Sequence, residues 1–278
     1  MLFRTILTIN GLDQGNGDLK LACGLCEQVD AHLSVLVMAL AAPPPIGEYA
    51  AMVPDAWLQE RQEDLERLKT STSNVSNFLA GGALSADVSS EYAEIAEADK
   101  SVGRRARYAD LTVVGPQLLT DEALRDKVIE GALFFSGKPL LLVPRGSTPT
   151  LKPKRVMVAW DSRIEVSRAV RESIEMLTAA DEVRLVLVDP MQADNHHGAE
   201  PGADAAAYLA RHGVKVTVDR LPSSNHSVAE VLHQHATDTS SELLVMGAYG
   251  HSRLRERIFG GVTKSMLENP RLPILMAR

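Results

Sequence analysis

Apolar residues in this chain fall into short runs of strand length, each followed by a polar turn and then by a stretch with helical spacing. The same order occurs twice. Arg4 to Ile9 opens the first half and Arg155 to Trp160 the second; helical patterns over about 17–30 and 164–178 follow, then second strands Leu33–Leu40 and Val183–Val188. Further on, Ala109–Gly115 (ADLTVVG) matches Ser241–Gly247 (SELLVMG), and Lys138–Val143 matches Leu272–Ala277. Runs that are nearly continuous in Val, Ile and Leu and alternate with helices predict parallel strands buried on both faces and joined by right-handed crossovers. A repeat of this length is a duplicated domain rather than a solenoid unit. At 278 residues the chain is long enough for two domains. The turn-rich stretch Arg145–Pro153 separates them, giving domains over 1–146 and 153–278.

The repeats differ in two ways. Arg4 and Arg155 are 151 residues apart, whereas Gly115 and Gly247 are 132 apart, so the first half carries about 19 additional residues between these elements. They include Pro43-Pro-Pro45 and a charged helical pattern from about Asp55 to Lys69, which reads first as a solvated helical face, the alternatives being that it covers the first-half crevice or contacts a partner. The second difference follows the fourth strand. Gly247-Ala-Tyr-Gly250 is separated by nine residues from Gly260-Gly261-Val262-Thr263, ahead of a helical stretch to Leu267 and a last strand, Pro273–Ala277. Glycines so placed let backbone amides approach a polyphosphate with no Cβ in the way, and a helix N-terminus adds partial positive charge. In open parallel sheets such loops lie beyond the carboxyl ends of the strands, where ligands bind.

Charge sharpens the contrast. Residues 1–150 hold 13 basic and 20 acidic residues and carry the whole formal charge of -7, while residues 151–278 hold 16 of each. An acidic half repels a polyanion; a neutral half with Arg253, Arg255 and Arg257 beside its glycine loop tolerates one. No extended basic surface with interleaved aromatics is present, which argues against nucleic acid as a partner. No apolar run reaches the roughly 18 residues needed to span a bilayer, and the first strand-length run lacks a signal-peptide cleavage pattern, so a cytoplasmic protein without a membrane partner is expected.

The glycine spacing resembles the nucleotide loop of the universal stress protein family: Gly, two residues, Gly, nine residues, then Gly followed by Ser or Thr. Gly261 stands where the family usually has the hydroxyl residue. The resemblance covers the whole chain as a tandem pair of domains. It implies two open α/β domains, each with a five-stranded parallel sheet flanked by helices. It also implies, for the second domain, ATP held between the first and fourth strands with Mg2+ carried in by the nucleotide. By the same resemblance Asp161, just after the first strand, would bond the adenine, and Val188 would contribute backbone at the second strand end. Gly247, Gly250, Gly260, Gly261 and Val262 would offer amides to phosphate, and Thr263 a hydroxyl. Asp161 reads equally well as a turn or helix-cap residue. Family members dimerise through the last strand, so a tandem chain is expected to form an internal pseudo-dimer, with homo-oligomers left open.

The first half has Gly115-Pro-Gln-Leu118 in place of the loop, with Asp121, Glu122 and Asp126 opposing phosphate, and is not expected to bind ATP in the family manner. Asn10–Gly17 lacks the third glycine of a dinucleotide fingerprint, Lys20 standing there. Cys23 and Cys26 lie inside the predicted first helix and read as small buried hydrophobes rather than a redox or metal pair. His233 and His235 do not converge on a helix, and no metal site is expected. No nucleophile with a positioned base and no Walker lysine is apparent, so activity is at most a weak ATPase. Two functional readings follow: a stress-response regulator that binds adenine nucleotide in its second domain, or an interaction module of the same origin that binds none.

Overall fold

The computed structural model describes residues 3–43, 55–190, 200–249 and 261–278. It divides into two compact units, Phe3–Ser136 and Gly137–Arg278. The N-terminal unit runs β1 (Thr5–Gly11), α1 (Gly17–Val29), β2 (His32–Ala41), α2 (Asp55–Ala80), β3 (Ala86–Glu94), α3 (Ala98–Ala106), β4 (Leu111–Val114) and, after a 3-10 turn over Leu118–Thr120, α4 (Glu122–Phe135). β1 pairs in parallel with β2 and β4, and β2 with β3. The first strand is therefore central, and the chain reverses direction across the sheet between β1 and β4.

The C-terminal unit runs β5 (Leu140–Leu142), β6 (Arg155–Ala159), α5 (Ile164–Glu172), α6 (Ile174–Ala179), β7 (Glu182–Val188), α7 (Ala203–Arg211), β8 (Val216–Leu221), α8 (Val228–Asp238), β9 (Leu243–Gly247), α9 (Gly261–Glu268) and β10 (Ile274–Ala277). β6 lies between β7 and β9, β8 extends beyond β7, and β10 beyond β9, all in parallel. The fold is α/β in both units, with the same switch point between first and fourth strands.

Lys138–Val143, expected as a fifth strand of the first sheet, instead places β5 antiparallel to β10 and within the C-terminal unit. The N-terminal unit thus has four parallel strands, and the C-terminal unit adds an antiparallel sixth to its five. β10 is buried at all four positions, so its outer hydrogen-bonding edge needs a partner, and β5 supplies one.

Burial explains the strand pattern. Ile6, Leu33, Val35, Leu36, Leu111, Val158, Leu185, Leu244 and Val245 are fully enclosed, as strands covered on both faces require. The helical pattern over 164–178 is two helices rather than one. They break at buried Ser173, whose Oγ donates to the Ala169 carbonyl at 2.7 Å, a back-bond that competes with helix continuation. α2 extends beyond Lys69 to Ala80, with the hydroxyls of Thr70, Thr72, Ser73 and Ser76 turned inward to carbonyls four residues earlier. Only Leu68 and Val75 of that helix are buried. Among the described residues no helix is long and apolar enough to cross a membrane.

Candidate functional site

A cavity of about 270 Å³ lies at the carboxyl ends of β6, β7 and β9 in the C-terminal unit. Its walls are apolar: Val186 and Val188 from β7, Leu232 from α8 and Met246 from β9. Its mouth carries Trp160, Asp161 and Arg163 on one side and Gly261, Val262 and Thr263 on the other. Six of the eight residues singled out from sequence line this space: Asp161, Val188, Gly247, Gly261, Val262 and Thr263. Gly250 and Gly260 lie outside the described residues, as do His251, Ser252, Arg253, Arg255 and Arg257.

Each described residue has a local reason for its place. Asp161 follows β6 and accepts from the Arg163 amide at 3.1 Å, a turn that fixes the entry to α5, and its other oxygen is 3.7 Å from Arg163 Nε. With 58% of its side chain exposed, it keeps a face toward the cavity mouth while serving as a turn residue. Trp160 donates through Nε1 to Ser162 Oγ at 3.0 Å. Gly247 ends β9 where α5 passes close: a Cβ there would stand 2.5 Å from the Val166 amide nitrogen and 2.8 Å from the Glu165 carbonyl carbon. Its lack of a side chain is thus demanded by helix packing as well as by any ligand. Gly261 is different, since a Cβ there would meet nothing within 4 Å. Buried Thr263 accepts from the Tyr249 amide at 3.4 Å. Ser162, Asp189 and Tyr249, the loop residues after β6, β7 and β9, all have positive φ of 61°, 46° and 60°. Non-glycine residues in that region cost about 1–3 kcal/mol each and concentrate at functional loops.

The N-terminal unit uses the same packing device to the opposite effect. Gly115, which matches Gly247, lies against the second residue of α1, as Gly247 lies against the second residue of α5; a Cβ on Gly115 would stand 2.3 Å from Asp18 Cγ. Asp18 is 2% exposed, and its carboxylate accepts from the Gln117 amide at 3.0 Å and the Leu118 amide at 2.9 Å. The Gln117 side-chain oxygen in turn accepts from the Asp18 amide at 3.1 Å. The chain's own carboxylate therefore occupies the amides that follow the fourth strand. Burial pushes the Asp18 carboxyl above its ordinary range, outweighing the two amide bonds that pull it down. In the C-terminal unit, Tyr249 takes the place of Gln117 and meets a neutral hydroxyl instead of an anion. Sequence reasoning missed Asp18, and it missed Trp160, Arg163 and Glu165 as cavity residues; the last three were signalled only by following directly on the first strand.

The other sequence candidates have structural surroundings. Burial pushes the Cys26 thiol up to about 12 and raises that of Cys23, which suits packing and not nucleophilic chemistry. His233 is buried, its imidazole held below the usual range by burial and by the nearby Arg271 guanidinium. His235 instead meets Asp219, Nε2 to Oδ2, at 2.8 Å, and Asp219 also holds Arg184.

A doubly wound α/β unit with a crevice at its switch point is the class that this geometry defines. Residues 152–278 match the model of the universal stress protein family. A universal stress protein of Synechocystis sp. is 28% identical over 142 residues, which is 51% of this chain; the chain spans about half of that relative's length, 47%. A universal stress protein from Archaeoglobus fulgidus DSM 4304 has a similar fold over 98% of this chain and 96% of its own, with a TM-score of 0.62 and 15% identity. A proposed universal stress protein from Pseudomonas aeruginosa UCBPP-PA14 follows with a TM-score of 0.56 and 14% identity over 99% of this chain and 93% of its own. At those identities the two structures speak for the fold alone.

Proposed function

We propose that this protein is a stress-response regulator that binds ATP or a related adenine nucleotide in its C-terminal unit. The observation that carries the reading is the open crevice at the β6/β9 switch point, with Asp161 and Val188 on one side and the Gly261–Thr263 helix start on the other. The residues fit the group. Val186, Val188, Leu232 and Met246 make a slot suited to a purine, Asp161 can accept from its amino group, and the empty space at Gly261 admits a phosphate to the first turn of α9. Mg2+ would arrive with the nucleotide, bound to its phosphates. Glu165 on the same wall opposes negative charge, so affinity is expected to be moderate rather than tight. Hydrolysis is secondary in this reading, which asks the residues to bind and orient a nucleotide and no more.

One observation favours a second reading, an interaction module that binds no nucleotide. Gly261 offers no hydroxyl, and the Thr263 oxygen already accepts from Tyr249. Nucleotide content separates the two. Protein purified gently without added nucleotide and then heat-released should yield adenine nucleotide by mass spectrometry, and reloading of the emptied protein with ATP should fail in Asp161→Ala. Empty wild-type protein that also refuses ATP would leave only the module.

A further inference from the structure

At the amino ends of β2 and β3, the opposite end of the strands from the crevice, three side chains of the N-terminal unit form a chain of hydrogen bonds. The parallel register sets Leu33 opposite Ala86 and Ser34 opposite Asp87, so His32 and Ser34 share one face of the pair with Ser85 and Asp87. The Leu33 amide donates to the Ser85 carbonyl at 2.9 Å, which fixes Ser85 beside His32. His32 Nδ1 is then 2.8 Å from Ser85 Oγ, and its Nε2 is 2.8 Å from Asp87 Oδ1. Ser34 Oγ donates to the other Asp87 oxygen at 3.4 Å. A carboxylate only accepts, so in the neutral imidazole Nε2 carries the proton, Nδ1 presents its lone pair, and the Ser85 hydroxyl donates to it. Nucleophile, base and orienting carboxylate stand in that order, the arrangement by which a serine is activated.

Two observations separate this chain from ordinary polarity at a sheet edge. The C-terminal unit has the same backbone at the same place, the Val183 amide donating to the Lys215 carbonyl at 2.9 Å, yet its matching side chains are Glu182, Lys215 and Thr217. The fold therefore holds this strand pair without a His–Ser–Asp chain. The second observation is the position of the next amide. β3 is an edge strand, and its register turns the Ala86 N–H away from β2. That amide, of the residue following Ser85, faces the open edge, where it can donate to the oxygen of an acyl group lying over Ser85. Ser85 is exposed, and His32 and Asp87 keep 35% and 51% of their side chains accessible, so a small ester reaches the hydroxyl directly.

We propose that Ser85 is a nucleophile that takes a short acyl group from activated esters and passes it to water, an activity independent of nucleotide binding in the C-terminal unit. Its Oγ bonds to the acyl carbon while its proton moves to His32 Nδ1; the ester C–O bond breaks, and the leaving alcohol or phenol takes that proton. Water then attacks the acyl carbon and gives a proton to Nδ1, and the bond from Ser85 Oγ breaks to release the carboxylic acid and restore the hydroxyl. Asp87 is a positioning residue that keeps the imidazole proton on Nε2. The full chain incubated with p-nitrophenyl acetate tests this, with p-nitrophenol release followed by absorbance and the acetylated residues located by peptide mass mapping. Ser85 should carry acetyl in the wild type, and Ser85→Ala should lose the corresponding burst of p-nitrophenol. His32→Gln and Asp87→Asn, each with an unchanged circular dichroism spectrum, should slow Ser85 acetylation by about 100-fold, the lower end of what a general base contributes. For Asp87→Asn the loss should fall on the maximal acylation rate and leave KM in place. Acetyl on lysines with none on Ser85 would overturn the proposal. So would wild-type rates of Ser85 acetylation in either variant, which would reduce Ser85 to an exposed hydroxyl without a base.

Discussion

Two crevices at the same point of the same fold differ in who supplies the negative charge. In the N-terminal unit Asp18, from the first turn of α1, reaches across to the Gln117 and Leu118 amides at 3.0 and 2.9 Å and closes the anion cradle from within. In the C-terminal unit the matching helix residue is Glu165, which lines an open cavity, and the matching amide of Tyr249 donates to the Thr263 hydroxyl. Duplication preserved the scaffold, down to the glycine that lets the helix approach the fourth strand. A single carboxylate then separates a plugged site from an accessible one. The N-terminal loop amides are thus satisfied without any ligand, because the chain itself provides the counter-charge.

The contrast can be broken at several points. The largest effect is expected at Asp161. Asp161→Asn keeps a turn-forming side chain but removes the charge at the cavity mouth, and under the proposed reading ATP should weaken by about 10–100-fold, as loss of a hydrogen bond to a charged group implies; calorimetry showing unchanged affinity would remove Asp161 from the site. Next are the two glycines of the C-terminal loop. Gly247→Ala drives a methyl group against the α5 backbone and should cost about 1–3 kcal/mol of stability, whereas Gly261→Ala enters open space and should lose none. Equal thermal shifts for the pair would contradict the packing account. Gly261→Ser restores the missing hydroxyl where there is room for it, and should tighten ATP by about 2–10-fold without altering the melting temperature.

The smallest effect concerns acid. The Asp18 carboxyl is raised in the folded protein, so the native state holds that proton more firmly than the unfolded chain does. Its contribution to stability is complete below pH 3.8 and is lost as pH rises through the raised folded value. Asp18→Asn should flatten that part of the curve when urea unfolding is followed from acid to neutral pH; a slope identical to wild type would show that Asp18 is not the group responsible.

Much of this was legible in the sequence because buried parallel strands print as apolar runs. β1, β2, β4, β6, β7, β9 and β10 all fall within a residue or two of where those runs place them. The loop after β9 was found by glycine spacing, yet at Gly247 the spacing carried a second meaning, since the close pass of α5 needs a glycine with or without phosphate. Asp18 was illegible because it lies 99 residues from Gln117 and reads locally as an ordinary first-turn acid. Arg67, inside a helix that looks merely solvated, and Asp13, 54 residues earlier in the loop after β1, were likewise hidden as an ion pair. β5 was misassigned because strand character says nothing about which sheet a three-residue run will join.

The central claim is that one crevice of the pair accepts an adenine nucleotide and the other does not. Isothermal titration of the nucleotide-free full chain with Mg2+-ATP tests it most directly. One site per chain, abolished by Asp161→Ala, is the result expected; two sites per chain, or none, would contradict it.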